Sequence, residues 1–252
     1  MEATMWMKEV EQLVTERLPT WIEENPLLRL RLQEAIGAET VVSTRRMTYE
    51  EFLEWADEDT LAEWVDGEVV MTSPASRQHQ SIADFLLKVM GTYVESHDLG
   101  VVISAPFQMK LEQSGREPDL LFVTTEHRER LKETHLDGPA DLVVEIVSSE
   151  SAERDRGAKF YEYARGGVSE YWLLDPQARW AEFYRLEAGR YRPAFSGEAG
   201  EYHSPALPGF WLRTEWLWQD PLPVVEDVLL EVGGDAYAQR WIARLRERGL
   251  LP

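Results

Sequence analysis

The chain has 252 residues, 44% of them hydrophobic, enough for one or two domains whose core needs no crosslink. It has no cysteine, which excludes a disulfide scaffold, a zinc finger, an iron–sulfur centre and a thiol nucleophile. With 26 basic and 46 acidic residues its formal charge is −20, so a polyanion can be held only through a local basic strip or bound cations.

Residues 1–44 read as an accessory segment. Pro19 and Pro26 divide it into short helical pieces, because proline lacks the amide proton a helix interior uses. Trp21, Ile22, Leu27, Leu28 and Leu30 give those pieces apolar faces, so a helical arm packed on the body or on a second copy is expected. The start, MEATMWMKEVEQLV, lacks the basic region and apolar stretch of a signal peptide. No apolar run approaches the roughly 18 residues of a membrane span. A cytoplasmic protein without membrane association is the expectation.

Thr48 and Glu51 have capping-box spacing, so a helix is expected through Phe52, Leu53 and Trp55. Leu61 to Thr72 reads as a hairpin turning at Asp66-Gly67. After Pro74, Ile82, Phe85, Leu86, Val89, Met90 and Tyr93 recur at steps of three and four, the mark of a long helix with one buried stripe. Val101–Leu111 reads as a strand or bent hairpin. Leu120–Thr124 and Leu142–Val147 are short, β-branched apolar runs that suit strands buried on both faces.

Ser149 or Ser151 can cap a helix that stops at Gly166-Gly167. Tyr171–Asp175 is a further strand, and Trp180–Leu186 with Arg190–Phe195 a hairpin around Ala188-Gly189. Residues 196–223 read as loop, and Asp235–Leu250 as a C-terminal helix with Tyr237, Trp241 and Leu245 on one side. The element order predicts an α/β fold, a sheet with helices on its faces. Three segments are expected: a helical arm at 1–44, a main domain at 45–215 and a helical extension at 216–252.

The chemistry concentrates in REPDLLFV and in DLVVEIVSSESAERDRGAKFYEYARGGVSEYWLLDP. Asp119 opens one predicted buried strand and Glu145 stands near the end of another. A carboxylate there costs several kcal/mol, about 3–5, unless it is paired, protonated or bound to a cation. Two acids at neighbouring strand ends can hold a hard cation such as Mg²⁺, with the Ile146 carbonyl as a third ligand. On the next helix Asp155, Lys159 and Tyr163 follow at steps of four and share a face. Lys159 can reach toward the cation, orienting a water or stabilising charge on a phosphate.

The stretch from Met47 to Gly209 resembles the Uma family of restriction-endonuclease-like proteins, a branch of the PD-(D/E)XK nuclease superfamily. The matching pieces are MTYEEFLEW, AEWVDGEVVMTSP, His79, PDLLFV, DLVVEIVSS, RDRGAKFYEYARGGVSEYWLLDP and LPGF. The resemblance implies a restriction-endonuclease-like mixed sheet flanked by helices, with a Mg²⁺ or Mn²⁺ site for phosphodiester hydrolysis. It makes Asp119 the aspartate of the PD motif, Glu145 the second acid and Glu63 an upstream acid that binds or orients the metal. The superfamily lysine would stand at Val147; here it is carried over to Lys159 on the following helix. The implied partner is nucleic acid, in the first place DNA, and many related nucleases act as homodimers.

Blander roles stand beside these. Asp119 and Glu145 could be ordinary strand-end residues, and Lys159 could simply pair with Asp155. Glu63 lies in an acidic stretch that suits a solvated face. His79 suits a hydrogen-bonded packing role better than a phosphate contact. Arg154, Arg156 and Arg165 could guide a phosphate backbone or balance neighbouring acids. A catalytically silent interaction or DNA-binding module is the rival from another class. A two-carboxylate glycosidase is the third reading.

Overall fold

A computed structural model of the chain describes residues 46–56, 60–71, 74–148 and 151–252. The expected arm at 1–44 lies outside the described residues, and so does Ser149. Tyr49–Pro252 forms one compact unit.

Helix α1 (Tyr49–Trp55) starts directly after Thr48, as the capping spacing requires, and buries Tyr49 and Phe52. Strands β1 (Ala62–Val65) and β2 (Glu68–Met71) pair antiparallel, Val65 opposite Glu68. Asp66 and Gly67 both have positive φ between them, which a two-residue hairpin turn demands. Helix α2 (Arg77–His97) follows. The expected stripe is its buried face, and Ser76 caps it by accepting the His79 amide at 3.2 Å.

Four strands come next: β3 (Gly100–Ser104), β4 (Gln108–Lys110), β5 (Ser114–Arg116) and β6 (Leu120–Thr124). A 3₁₀ turn (Thr125–Arg130) leads to β7 (His135–Asp137) and β8 (Leu142–Ile146). Helices α3 (Ala152–Arg156) and α4 (Ala158–Gly166) precede β9 (Glu170–Asp175). The hairpin β10 (Trp180–Glu187) and β11 (Arg190–Gly197) is followed by β12 (Glu201–His203) and β13 (Trp211–Arg213). A 3₁₀ turn (Thr214–Trp218) and helix α5 (Val225–Glu247) complete the unit.

The result is the expected α/β class. The main sheet has six strands in the order β11-β10-β9-β8-β6-β3 and is mixed, because β8 and β9 run parallel while its other pairs are antiparallel. Its two faces follow strand alternation. Leu120, Phe122, Leu142, Val144, Trp172 and Leu174 pack with α2 and α5. Leu121, Val123, Val143, Tyr171 and Leu173 face the other way, with Tyr163 and Ala164 of α4. Glu145 has the parity of Val143, so its side chain belongs to the α4 face. A second sheet, β2-β1-β5-β4-β7, carries Glu63 and Arg116.

Four readings of the sequence are corrected. Val101–Leu111 is not a hairpin: β3 pairs with β6 in the main sheet, while β4 pairs with β5 and β7 in the second. The predicted helix ending at Gly166 is two helices broken at Gly157, where a Cβ would stand 2.6 Å from the Glu153 carbonyl oxygen. Residues 196–223 contain β12 and β13, and their Tyr202, Leu207, Phe210 and Trp216 complete the core against α2. The C-terminal helix begins at Val225 and kinks at Gly234, whose φ is 53° and ψ −150°. Among the described residues no helix is long and apolar enough to cross a membrane.

Candidate active site

Where the two sheets approach α2, α3 and α4 there is a cavity of about 470 Å³, and Glu63, His79, Glu117, Asp119, Glu145 and Lys159 are among its lining residues. They arrive from β1, α2, the link between β5 and β6, β8 and α4. Glu63 is the second residue of β1 and Glu145 the fourth of β8. Asp119 immediately precedes β6, and His79 lies in the first turn of α2, where the Ser76 cap holds the backbone.

Lys159 ties the acids together. Its ammonium lies 2.9 Å from Glu145 Oε1, 3.3 Å from Glu63 Oε1 and 3.5 Å from Asp155 Oδ1. Lys159, Glu145, Glu63 and Asp155 are all at least 95% buried. The Tyr163 hydroxyl, one turn beyond Lys159, donates to the same Glu145 oxygen at 2.7 Å. The face shared by Asp155, Lys159 and Tyr163 therefore survives the break at Gly157.

Glu63 is held from three sides. Besides Lys159, it receives the Glu117 amide on Oε1 at 3.1 Å and the Arg116 guanidinium on Oε2 at 2.9 Å. The antiparallel register pairs Trp64 with Gly115, which sets Glu63 and Arg116 opposite each other on neighbouring strands. Arg116 turns its other edge to Glu162 of α4 in a bidentate pair of 2.6 and 2.8 Å. This Arg fork links the second sheet to the helix that carries Lys159.

Asp119 lines the same cavity. Its Oδ2 accepts the Ile146 amide at 2.6 Å and lies 3.2 Å from His79 Nε2. The Asp119 carboxylate is thereby pinned to the end of β8, at the residue after Glu145. Arg154 also lines the cavity, and its Nε is buried without a hydrogen-bond partner. Arg156 turns to Asp175 and Glu182, and Arg165 to Gln113.

The electrostatics follow from burial and from the excess of acids. Burial pushes the Glu145 carboxyl well up, against the pull of Lys159, and the neighbouring Asp155, Asp119 and Glu63 push it further. Asp155 is raised for the same leading reason. Burial also acts on Glu63, but Lys159 and Arg116 outweigh it and hold that carboxyl below its ordinary value. Lys159 resists its own burial because Glu145, Glu63 and Asp155 surround it, so it remains a cation. Burial lowers His79, but its bond to Asp119 outweighs that and raises it. Glu117 is pushed up to about 7, chiefly by burial.

The structure thus brings together Glu63, Asp119, Glu145, Lys159, His79 and Asp155, and sets Arg154 on the cavity wall. Arg116, Glu117 and Glu162 were not singled out from the sequence. The signal for the first two was their place directly before Pro118-Asp119 in REPD. Tyr163, which the sequence places on the face of Lys159, is fully buried and belongs to the site. Among the described residues no three Asp, Glu or His side chains stand at metal-ligand spacing.

The family model described as "Uma2: Putative restriction endonuclease" matches residues 49–215, and the chain belongs to that family. Its fold is similar to a crystal structure described as a "putative nuclease belonging to DUF820" from Anabaena variabilis, with a TM-score of 0.59 and 16% identity. The similarity covers 68% of this chain and 97% of that one. No curated protein matches the chain.

Proposed function

We propose that this member of the Uma2 family is a divalent-metal-dependent endonuclease that hydrolyses phosphodiester bonds in DNA. The observation that carries the reading is the convergence of Glu63, Asp119 and Glu145 on one cavity with a single buried lysine.

The donor types suit a hard divalent cation, although among the described residues the side chains do not form a ready-made cage of three. Glu63, Glu145 and Asp155 are buried around one ammonium, and both Asp155 carboxylate oxygens lack a hydrogen-bond partner. Such an excess of oxygen donors and negative charge suits Mg²⁺ or Mn²⁺. Asp119, Glu145 and the Ile146 carbonyl would hold the ion, with Glu63 beside them. When bound, it polarises a phosphoryl oxygen and lowers the pKa of a coordinated water.

The chain's own residues do the rest. Lys159, held as a cation, serves as a positive partner for charge developing on phosphate and does not act as a base. His79 and the Ile146 amide keep Asp119 in one orientation. Arg154 offers an unsatisfied donor to a phosphate oxygen on the cavity wall. A homodimer would present two such sites, one to each strand of a duplex.

The test is cleavage of plasmid, linear duplex and single-stranded DNA in Mg²⁺ and Mn²⁺, with a folded Glu145→Gln variant alongside. Metal-dependent cutting by wild type and a loss of about 100-fold or more in the variant are expected. Equal cutting by both proteins would overturn the assignment of Glu145. No cutting together with no metal binding would favour a silent nuclease-fold module.

A further inference from the structure

We propose that Lys159 is the resident cation of the Glu63–Glu145 pair, which a divalent ion must displace, and that Asp155 is the positioning residue that receives the displaced ammonium. This inference rests on the metal-site reading above.

Three observations carry it. First, the Lys159 ammonium stands between the two acids, 2.9 Å from Glu145 and 3.3 Å from Glu63. An ion drawing on both acids therefore meets an ammonium already in place, and like charges at that range repel strongly in a buried site. Second, Asp155 is 1% exposed, and neither of its carboxylate oxygens has a hydrogen-bond partner at close range, the Ser151 hydroxyl being the one neighbour besides Lys159 that favours its charged form. A buried, unsatisfied carboxylate is costly and calls for a reason. Third, Asp155 Oδ1 is already 3.5 Å from the ammonium, so it is the acid toward which the lysine turns when an ion takes Glu63 and Glu145.

The groups facing the ammonium fit this two-position scheme. From the second sheet come Glu63 and, behind it, Arg116; from β8 comes Glu145; from α3 comes Asp155; from α4 itself comes the Tyr163 hydroxyl. Arg116 is engaged by Glu162 and cannot take over the role of Lys159. Tyr163 keeps Glu145 oriented after the lysine departs. Metal loading and the transfer of Lys159 to Asp155 become one event.

A double-mutant cycle on the full chain tests this with Mn²⁺ alone, read by calorimetric titration and by electron paramagnetic resonance of free Mn²⁺. Lys159→Met is expected to bind Mn²⁺ about tenfold more tightly than wild type, ~1.4 kcal/mol. Asp155→Asn is expected to bind several-fold more weakly in the wild-type background, and its effect is expected to shrink markedly when Lys159 is already Met. Lys159→Gln, whose amide still donates, replaces the methionine variant if the latter does not fold.

Equal affinity in wild type and the Lys159 variant would overturn the displacement and leave the metal site standing. An Asp155→Asn loss of the same size in both backgrounds would overturn the receiving role and make Asp155 a plain ligand. Binding by neither protein would overturn the metal-site reading, and the exchange with it.

Discussion

Removing Lys159 is expected to cost more stability than removing the acid it touches most closely. In metal-free protein, Lys159→Met leaves Glu145 and Asp155 buried without a cation, while Glu63 keeps Arg116 and the Glu117 amide. Breaking a buried charge network in this way costs about 3–5 kcal/mol. Glu145→Gln is milder: its amide oxygen still accepts the Tyr163 hydroxyl, and Lys159 keeps Glu63 and Asp155. A cost near 1 kcal/mol is expected, the size of one altered hydrogen bond. The lysine penalty is also pH-dependent. An unpaired buried carboxyl has a raised pKa in the folded state, so folding favours its protonated form. The variant therefore loses little at pH 5, where the acids can take up a proton, and loses most as pH rises toward 8. Each unit by which the carboxyl is raised accounts for about 1.4 kcal/mol. Urea denaturation in chelator at the two pH values, extrapolated linearly, measures these differences. Equal costs for the two variants, or a lysine penalty that does not change with pH, would refute the charge accounting.

Two further outcomes are expected. Glu117 is raised to about 7, so its folded form prefers the proton and its contribution to stability falls as pH rises from the ordinary carboxylate range through 7. Glu117→Gln, which keeps an acceptor for the Gln108 amide, is therefore expected to raise the melting temperature in chelator at pH 8 and to leave it nearly unchanged at pH 4.5. A variant that melts like wild type at pH 8 would contradict this. Gly157→Ala places a Cβ 2.6 Å from the Glu153 backbone oxygen, at the break that sets Asp155 and Lys159 side by side. A loss of about 1–3 kcal/mol is expected, with weaker Mn²⁺ binding, since a rigid backbone atom cannot move aside as a side chain can. Wild-type unfolding and titration curves would show that the break tolerates a side chain.

Much of the local structure was legible in the chain itself. The Asp66-Gly67 turn, the α2 stripe and the apolar runs of β6 and β8 express short-range periodicity and turn chemistry. Asp119 and Glu145 were legible because a carboxylate beside a strand buried on both faces violates the pattern around it. Lys159 was legible as a helix-borne cation, four residues beyond Asp155 and on its face.

Partner choice across the fold was decided only by the tertiary structure. Periodicity tells which face of a strand is buried, and it says nothing about which sheet the strand joins. Hence β3 and β4, close in sequence, join different sheets, and Val101–Leu111 is neither the single strand nor the bent hairpin that its pattern allows. Arg116 met Glu63 because β5 pairs with β1, and its guanidinium then reached Glu162 on a helix far along the chain. The same holds for the place of the Lys159 ammonium between two acids from different sheets. Backbone torsions and side-chain spacing are local properties, written residue by residue. The site is a balance of buried charges, and that balance exists only once distant segments share one low-dielectric space.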